Sequence, residues 1–182
     1  MLAFDFFNQA LPYEEFLSTY GSGGDRDRWD RSRTGIVLTA EQQKLLGTFT
    51  RKTNVLLLAG AWCGDCSAQC PVFERFREAA PVLNVRYLDR DAHPAAQAEL
   101  QINGGNRVPV AVFFSEDGYE VARYGERTLA AYRRLVRNVI PDISAPGAAD
   151  YPAEMVADWL REVERVQWVL RLSSRLRRLH QD

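Results

Sequence analysis

Residues 61–71 read Ala-Trp-Cys-Gly-Asp-Cys-Ser-Ala-Gln-Cys-Pro and hold all three cysteines of the chain, Cys63, Cys66 and Cys70. What flanks them decides the fold. Immediately before lies NVLLLAG, residues 54–60, an unbroken apolar run of strand length. Immediately after, Val72, Phe73, Phe76 and Ala80 recur at helical spacing as far as Pro81, with Pro71 expected to kink that helix. The cysteines therefore stand where a buried strand turns into a helix.

Three chemistries compete for such a cluster. A structural zinc site wants four ligands, usually as two separated pairs. Here there is one Cys-x-x-Cys, a third cysteine one helical turn on, and two histidines, His93 and His180, far away in sequence. No metal site is expected. A purely structural Cys63–Cys66 bridge closes too short a loop to remove much entropy from the unfolded chain. A redox reagent fits best. Cys63 at a helix N-terminus has unpaired N–H groups and the positive dipole end to stabilise a thiolate. Cys66, three residues on, shares its face and can close a disulfide with it. Cys70 lies four residues beyond Cys66, where helix geometry holds Cβ atoms about 5–6 Å apart, outside the roughly 3.5–4.5 Å of a disulfide. It reads as an apolar filler.

Working outward, LNVRYLD (83–89) and VPVAVFF (108–114) read as further buried strands. SEDG (115–118) is a tight-turn sequence, and YEVARYG (119–125) is its hairpin partner. Helices are expected between them, with a capping-box pattern in Thr39-Ala-Glu-Gln42 and a helix marked by Leu129, Tyr132, Leu135, Val136 and Val139 that stops at Pro141. The pattern is α/β, with a central mixed sheet flanked by helices and an antiparallel last pair.

Residues 1–35 form an N-terminal helical extension and loop. Tyr13, Phe16, Leu17 and Tyr20 are spaced for a helix, and GSGGDRDRWDRSRTG (21–35) is expected as an exposed connector with only Trp29 tucked in. Residues 36–140 make the central domain. Residues 141–182 comprise a linker and an amphipathic helix whose apolar stripe runs from Val156 to Leu179.

With 182 residues, 46% hydrophobic and 26% charged, the chain can bury one good core. A net charge of −1 argues against a dedicated nucleic-acid or membrane-surface binder. The opening residues, MLAFDFFNQALPYEEF, lack the pattern of a signal peptide, and no apolar run approaches the roughly 20 residues of a membrane span. A cytoplasmic protein is expected, a setting in which clustered cysteines are more often catalytic than structural.

Trp62-Cys63-x-x-Cys66 at a strand-to-helix junction, Pro71 five residues later, Val108-Pro109 opening the next strand, and a strand-turn-strand-helix finish together resemble thioredoxin over about residues 36–140. The motif and the helical N-terminal extension are most similar to bacterial thioredoxin-like proteins. The resemblance implies a thioredoxin fold in which Cys63 attacks and Cys66 resolves. It also implies that Trp62, Gly64, Val108 and Pro109 meet the substrate, with Pro109 cis and the Val108 backbone pairing with an extended substrate segment. The implied partners are disulfide-containing proteins and an upstream reductase or low-molecular-weight thiol. The implied role is cell redox homeostasis, with no cofactor.

Two departures stand out. The buried acid that thioredoxins commonly carry six residues before the first cysteine is replaced by Leu57. The usual Gly-Pro between the cysteines is Gly64-Asp65. The helix dipole favours a Cys63 thiolate by about 0.3–1 kcal/mol, up to about 2 when partly buried. An ionised Asp65 at roughly 6 Å opposes it by about 0.7 to 3 kcal/mol, depending on screening. Asp65 is thus expected to keep Cys63 harder to ionise and the couple more reducing, and to serve as the proton shuttle that Leu57 cannot be.

Elsewhere, NGGNR (103–107) lacks the spacing of a phosphate loop and is expected to shape the approach to Pro109. Arg107 reads as solvated, and His93 as a helix-start residue. The C-terminal helix, with Arg165, Arg171, Arg175, Arg177 and Arg178, is expected to pack on its own domain, with homodimerisation or partner docking as the alternative. The functional expectation is a protein-disulfide reductase. The rival is a non-enzymatic redox sensor or adaptor whose terminal helices bind a partner.

Overall fold

The computed structural model describes residues 3–140 and 150–182; most of the expected crossover at 141–151 lies outside them. Four strands form one sheet, β1 (Thr53–Ala59), β2 (Leu83–Asp89), β3 (Val110–Phe114) and β4 (Glu120–Gly125), in the order β2-β1-β3-β4. β1 runs parallel to β2 with Leu57 beside Tyr87, and antiparallel to β3 with Leu57 beside Ala111. β3 and β4 are antiparallel. The sheet is therefore mixed, as expected. All seven residues of β1 are buried because both its faces are covered by helices, which is why its sequence runs apolar without alternation. The hairpin turn places Gly118 at φ +84°, with the Ser115 and Tyr119 backbones paired across it.

The N-terminal extension departs from expectation. After α1 (Ala3–Gln9) and α2 (Tyr13–Tyr20), the stretch read as an exposed connector is a 13-residue helix, α3 (Gly23–Gly35). Its glycines lie at the two ends, and a capping box starts it. Ser22 accepts from the Asp25 N–H while the Asp25 carboxylate accepts from the Ser22 N–H. Trp29 anchors the helix, fully buried against Tyr13, Phe16 and Tyr87 with ring centroids 5.6–6.0 Å apart. Burial of a side chain this size stabilises by about 2–3 kcal/mol, enough to hold a helix that has no other apolar face.

The remaining helices follow the strands. α4 (Ala40–Leu46) begins at the expected Thr39–Gln42 capping box. α5 (Gly64–Gln69) and α6 (Pro71–Ala79) are the expected kinked helix, divided at Cys70 before Pro71. α7 (Pro94–Glu99) starts after His93. α8 (Leu129–Val139) ends before Pro141 but buries Ala130 and Ala131; its larger apolar residues Leu129, Tyr132, Leu135 and Val139 face outward. Small residues allow close approach to the next helix, and Asp158 from that helix accepts from the Ala130 N–H.

The C-terminal stripe is two helices, not one. α9 (Tyr151–Leu172) and α10 (Ser174–His180) divide at Ser173, whose extended backbone and side chain cap the second. Trp159 of α9 sits 5.0 Å from both the Phe73 and Tyr124 rings, so α9 closes over β4 and α6. Two arginines of this region, Arg171 and Arg175, turn back to the body, while Arg165 and Arg177 pair within the C-terminal segment itself. Arg171 donates to Thr50, Arg175 pairs with Asp117 and stacks over Tyr119, and Arg177 donates to the Asp182 carbonyl. One hydrophobic cluster runs without a break from Phe6 to Leu176.

Candidate active site

β1 ends at Ala59, and the four residues Gly60 to Cys63 turn the chain into α5. Gly60 lets the Trp62 indole lie against that turn, since a Cβ there would come within 2.8 Å of it. The Cys63 N–H donates to the Gly60 carbonyl at 3.0 Å, which places Cys63 as the N-cap of α5. Its sulfur accepts from the Cys66 N–H at 3.4 Å, in the position a capping oxygen normally fills. The sequence dictates this arrangement, since a strand, a glycine turn and a helix start leave the first cysteine facing the orphan N–H groups.

The three thiols are free, and one differs from the rest: Cys63 is 9% exposed, whereas Cys66 and Cys70 are closed off at 0% and 1%. Cys63 is pushed above the ordinary thiol value first by its hydrogen bond with the Cys66 thiol and then by burial, while the Cys66 and Asp65 N–H groups work in the opposite direction. Cys66 is pushed well above it, chiefly by desolvation, with the hydrogen bond to Cys63 opposing. Cys66 has one backbone donor, from Gly60, whereas Cys63 has two, from Cys66 and Asp65, and the access. A first thiolate is therefore best held at Cys63, with Cys66 as its protonated neighbour.

The second predicted motif arrives from β3. The Val108–Pro109 peptide is cis, and the Val108 carbonyl accepts from the Cys63 thiol at 3.8 Å. Residues 45 positions apart in sequence thus meet at one sulfur. Trp62 is 49% exposed and fixed from three sides. Arg90 lies 4.7 Å over its ring, Asp91 accepts from its indole N–H at 3.1 Å, and Arg28 donates to its carbonyl at 2.9 Å. Trp29 donates to the Ala61 carbonyl at 2.8 Å. Two consecutive residues of α3 therefore hold two consecutive carbonyls of the cysteine turn.

Asp65 differs from the sequence expectation of a lone carboxylate beside Cys63. Its Oδ2 accepts from Arg127 at 2.5 Å, and the same guanidinium reaches Glu126 at 2.9 Å. Glu126 is buried and also takes Arg107 at 2.7 Å and the Tyr132 hydroxyl at 3.2 Å. Arg107 is largely exposed, as expected, but ion-paired at its tip. Gln69 on α5 accepts from the Thr128 N–H and donates to the Glu126 carbonyl, tying this loop to the cysteine helix. Leu57 is buried in β1. The buried acid of the cysteine helices is Glu74 on α6, which accepts from the Tyr87 hydroxyl at 3.0 Å and from Arg77 at 2.8 Å. The His93 ring hydrogen-bonds the Asp89 carbonyl at 2.9 Å.

Sequence reasoning found Trp62, Cys63, Cys66, Val108 and Pro109, and the fold brings them together. It missed Arg28, Gln69, Glu126 and Arg127, which carry no local signal; each works through a partner tens of residues away. Among the described residues no three His, Cys, Asp or Glu side chains converge as metal ligands, and no helix is long and apolar enough to cross a membrane.

A family model described as thioredoxin matches residues 10–139. No functionally curated protein matches the chain. Among solved structures, a protein of unknown function from Pseudomonas aeruginosa superposes with a TM-score of 0.71 at 15% identity, over 91% of this chain and 96% of its own. An HIV epitope scaffold superposes with a TM-score of 0.69, also at 15% identity, over 91% and 97%. At that coverage the terminal helices are part of the shared architecture.

Proposed function

The chain belongs to the thioredoxin family, and from that premise we propose that it is a thiol-disulfide oxidoreductase that reduces protein disulfides in the cytoplasm. The observation that carries this reading is the meeting at Cys63. One sulfur is capped by the Cys66 N–H, lies within reach of the Cys66 thiol, and faces the Val108 carbonyl in the cis-Pro109 turn ahead of β3. An extended substrate segment laid against that turn brings its disulfide to the sulfur best able to attack.

The reaction balances as two exchanges. The Cys63 thiolate attacks one sulfur of the substrate disulfide, forming a Cys63–substrate disulfide and releasing a substrate thiolate that takes a proton. Cys66 gives up its proton and attacks the Cys63 sulfur, releasing the second substrate thiol and closing a Cys63–Cys66 disulfide. Two electrons pass to the substrate, and an upstream reductase or low-molecular-weight thiol returns them. Trp62 and Gly64 supply contact surface beside the attacking sulfur.

Insulin reduction in the presence of dithiothreitol tests the proposal: turnover is expected for the wild type and absent in Cys63→Ser. In cells, Cys66→Ser is expected to retain substrates as mixed disulfides at Cys63. A second reading, a non-enzymatic redox sensor, has one observation in its favour. Arg28 and Trp29 of α3 bind the carbonyls of Trp62 and Ala61, which offers the dithiol a route into the terminal helices. Wild-type turnover no faster than that of Cys63→Ser favours the sensor.

A further inference from the structure

The arrangement around Asp65 has a charge balance that the sequence does not disclose. Asp65 and Glu126 contribute two negative charges, and Arg107 and Arg127 two positive ones. The four are linked in the series Asp65–Arg127–Glu126–Arg107 by contacts of 2.5, 2.9 and 2.7 Å. One end of the series lies inside the Cys-Gly-Asp-Cys turn, and the other is the residue preceding Val108. The other charged groups near the turn are Arg28, paired with Asp25 from α3; Arg90, paired with Asp91 after β2; and Arg134 of α8, which shares a cavity with Asp65 and Arg127 and stacks over the Tyr151 ring, a contact common to every variant below. Asp65 is therefore the one carboxylate within the motif, and its compensation comes from a residue 62 positions away.

We propose that Arg127 is a positioning residue for the dithiol: it holds and neutralises the Asp65 carboxylate, and thereby sets how readily Cys63 becomes the attacking thiolate. Glu126, buried and shared by both arginines, fixes the Arg127 guanidinium so that it does not swing into solvent. Removing Arg127 leaves an uncompensated negative charge near Cys63. Removing Asp65 leaves an uncompensated positive one. Removing both restores neutrality.

A charge at roughly 6 Å moves a thiol by about half a pH unit when water-screened and about two units at an effective dielectric of about 20. Because a more basic thiolate is also a better nucleophile, about half of that appears as rate, so each single substitution changes the alkylation rate about two- to ten-fold.

The test is iodoacetamide alkylation of the reduced protein at pH 7, with Cys63 quantified by peptide mass spectrometry. Arg127→Ala is expected to react about two- to ten-fold more slowly than wild type, and Asp65→Asn faster by a comparable factor. The double variant should lie within about two-fold of wild type. Arg127→Lys, which keeps the charge, should recover most of the loss and serves if the alanine variant folds poorly. A merely structural role for Arg127 predicts slowing or speeding that persists in the Asp65→Asn background, and that result overturns the proposal. So does an Arg127→Ala or Asp65→Asn rate equal to wild type. The proposal rests on Cys63 being the attacking thiol, yet alkylation reads that sulfur directly. A protein that shows the expected charge effects but leaves insulin intact refutes the reductase reading alone.

Discussion

Trp29 donates its indole N–H to the Ala61 carbonyl at 2.8 Å, both groups buried, across 32 residues of sequence. The N-terminal extension thus contributes directly to the turn that presents Cys63. Trp29→Phe keeps most of the ring contacts but leaves that carbonyl without its donor. A loss of about 1–3 kcal/mol is expected by denaturant unfolding, together with slower insulin reduction. Trp29→Ala should lose about 3–5 kcal/mol. A phenylalanine variant as stable and as fast as wild type shows that the bond does not position the turn.

The reaction should accelerate with pH. Cys63 is held above the ordinary thiol value, first by its hydrogen bond with Cys66 and then by burial, so the thiolate is the minority form at neutrality. Alkylation of Cys63 is expected to rise steadily from pH 6 to at least about pH 8.5, the ordinary thiol value, without levelling. A plateau by pH 7 contradicts it. The sign for stability follows from the same direction: the folded protein holds these protons more tightly than the unfolded chain. That contribution is complete below about pH 8.5 and is lost as pH rises beyond it, toward the raised folded values. Urea midpoints of the reduced protein should fall over that range.

Gly60→Ala tests Trp62 as a contact surface. The new methyl meets the indole at 2.8 Å and must push it off the seat made by Arg90 and Asp91. The expected result is a several-fold higher KM for insulin with little change in the rate of Cys63 alkylation. An unaltered KM removes Trp62 from the docking surface.

Gln167 tests how firmly α9 is built in. It donates to the Arg51 carbonyl and the Thr53 hydroxyl, both at 2.8 Å, and accepts from the Arg51 N–H, all in buried surroundings at the start of β1. Gln167→Leu fills similar space but leaves the Arg51 N–H without its acceptor and the Arg51 carbonyl with only the Thr53 hydroxyl at 3.3 Å, and about 1–3 kcal/mol of stability should be lost. An unchanged unfolding midpoint would falsify an integral role for the helix.

The strands, the capping box at Thr39 and the kink at Pro71 were legible because each has a local cause: apolar runs, cap spacing, a missing N–H. The meeting of Cys63 with Val108–Pro109, 45 residues away, has no local cause and was expected only from the resemblance to thioredoxin. α3 was not. Glycine and mixed charge signal a loop, and the two features that override them, the Ser22–Asp25 cap and the burial of Trp29, act only once the aromatic cluster around Tyr87 exists. The break at Ser173 was hidden for a similar reason: periodicity continues across it. Asp65 shows the limit most sharply. Its charge was visible in the motif, but Arg127, which balances it, is brought near only by the turn between β4 and α8.

Leu11 pairs with Tyr87 through two backbone bonds of 2.8 and 2.7 Å, laying a short stretch of chain against the outer side of β2. An uncovered strand there would be a template for neighbouring molecules. A protease that nicked the link between α1 and α2 would therefore do more than trim an end: it would leave a chain with intact cysteines and a newly adhesive border, prone to coalesce at high concentration.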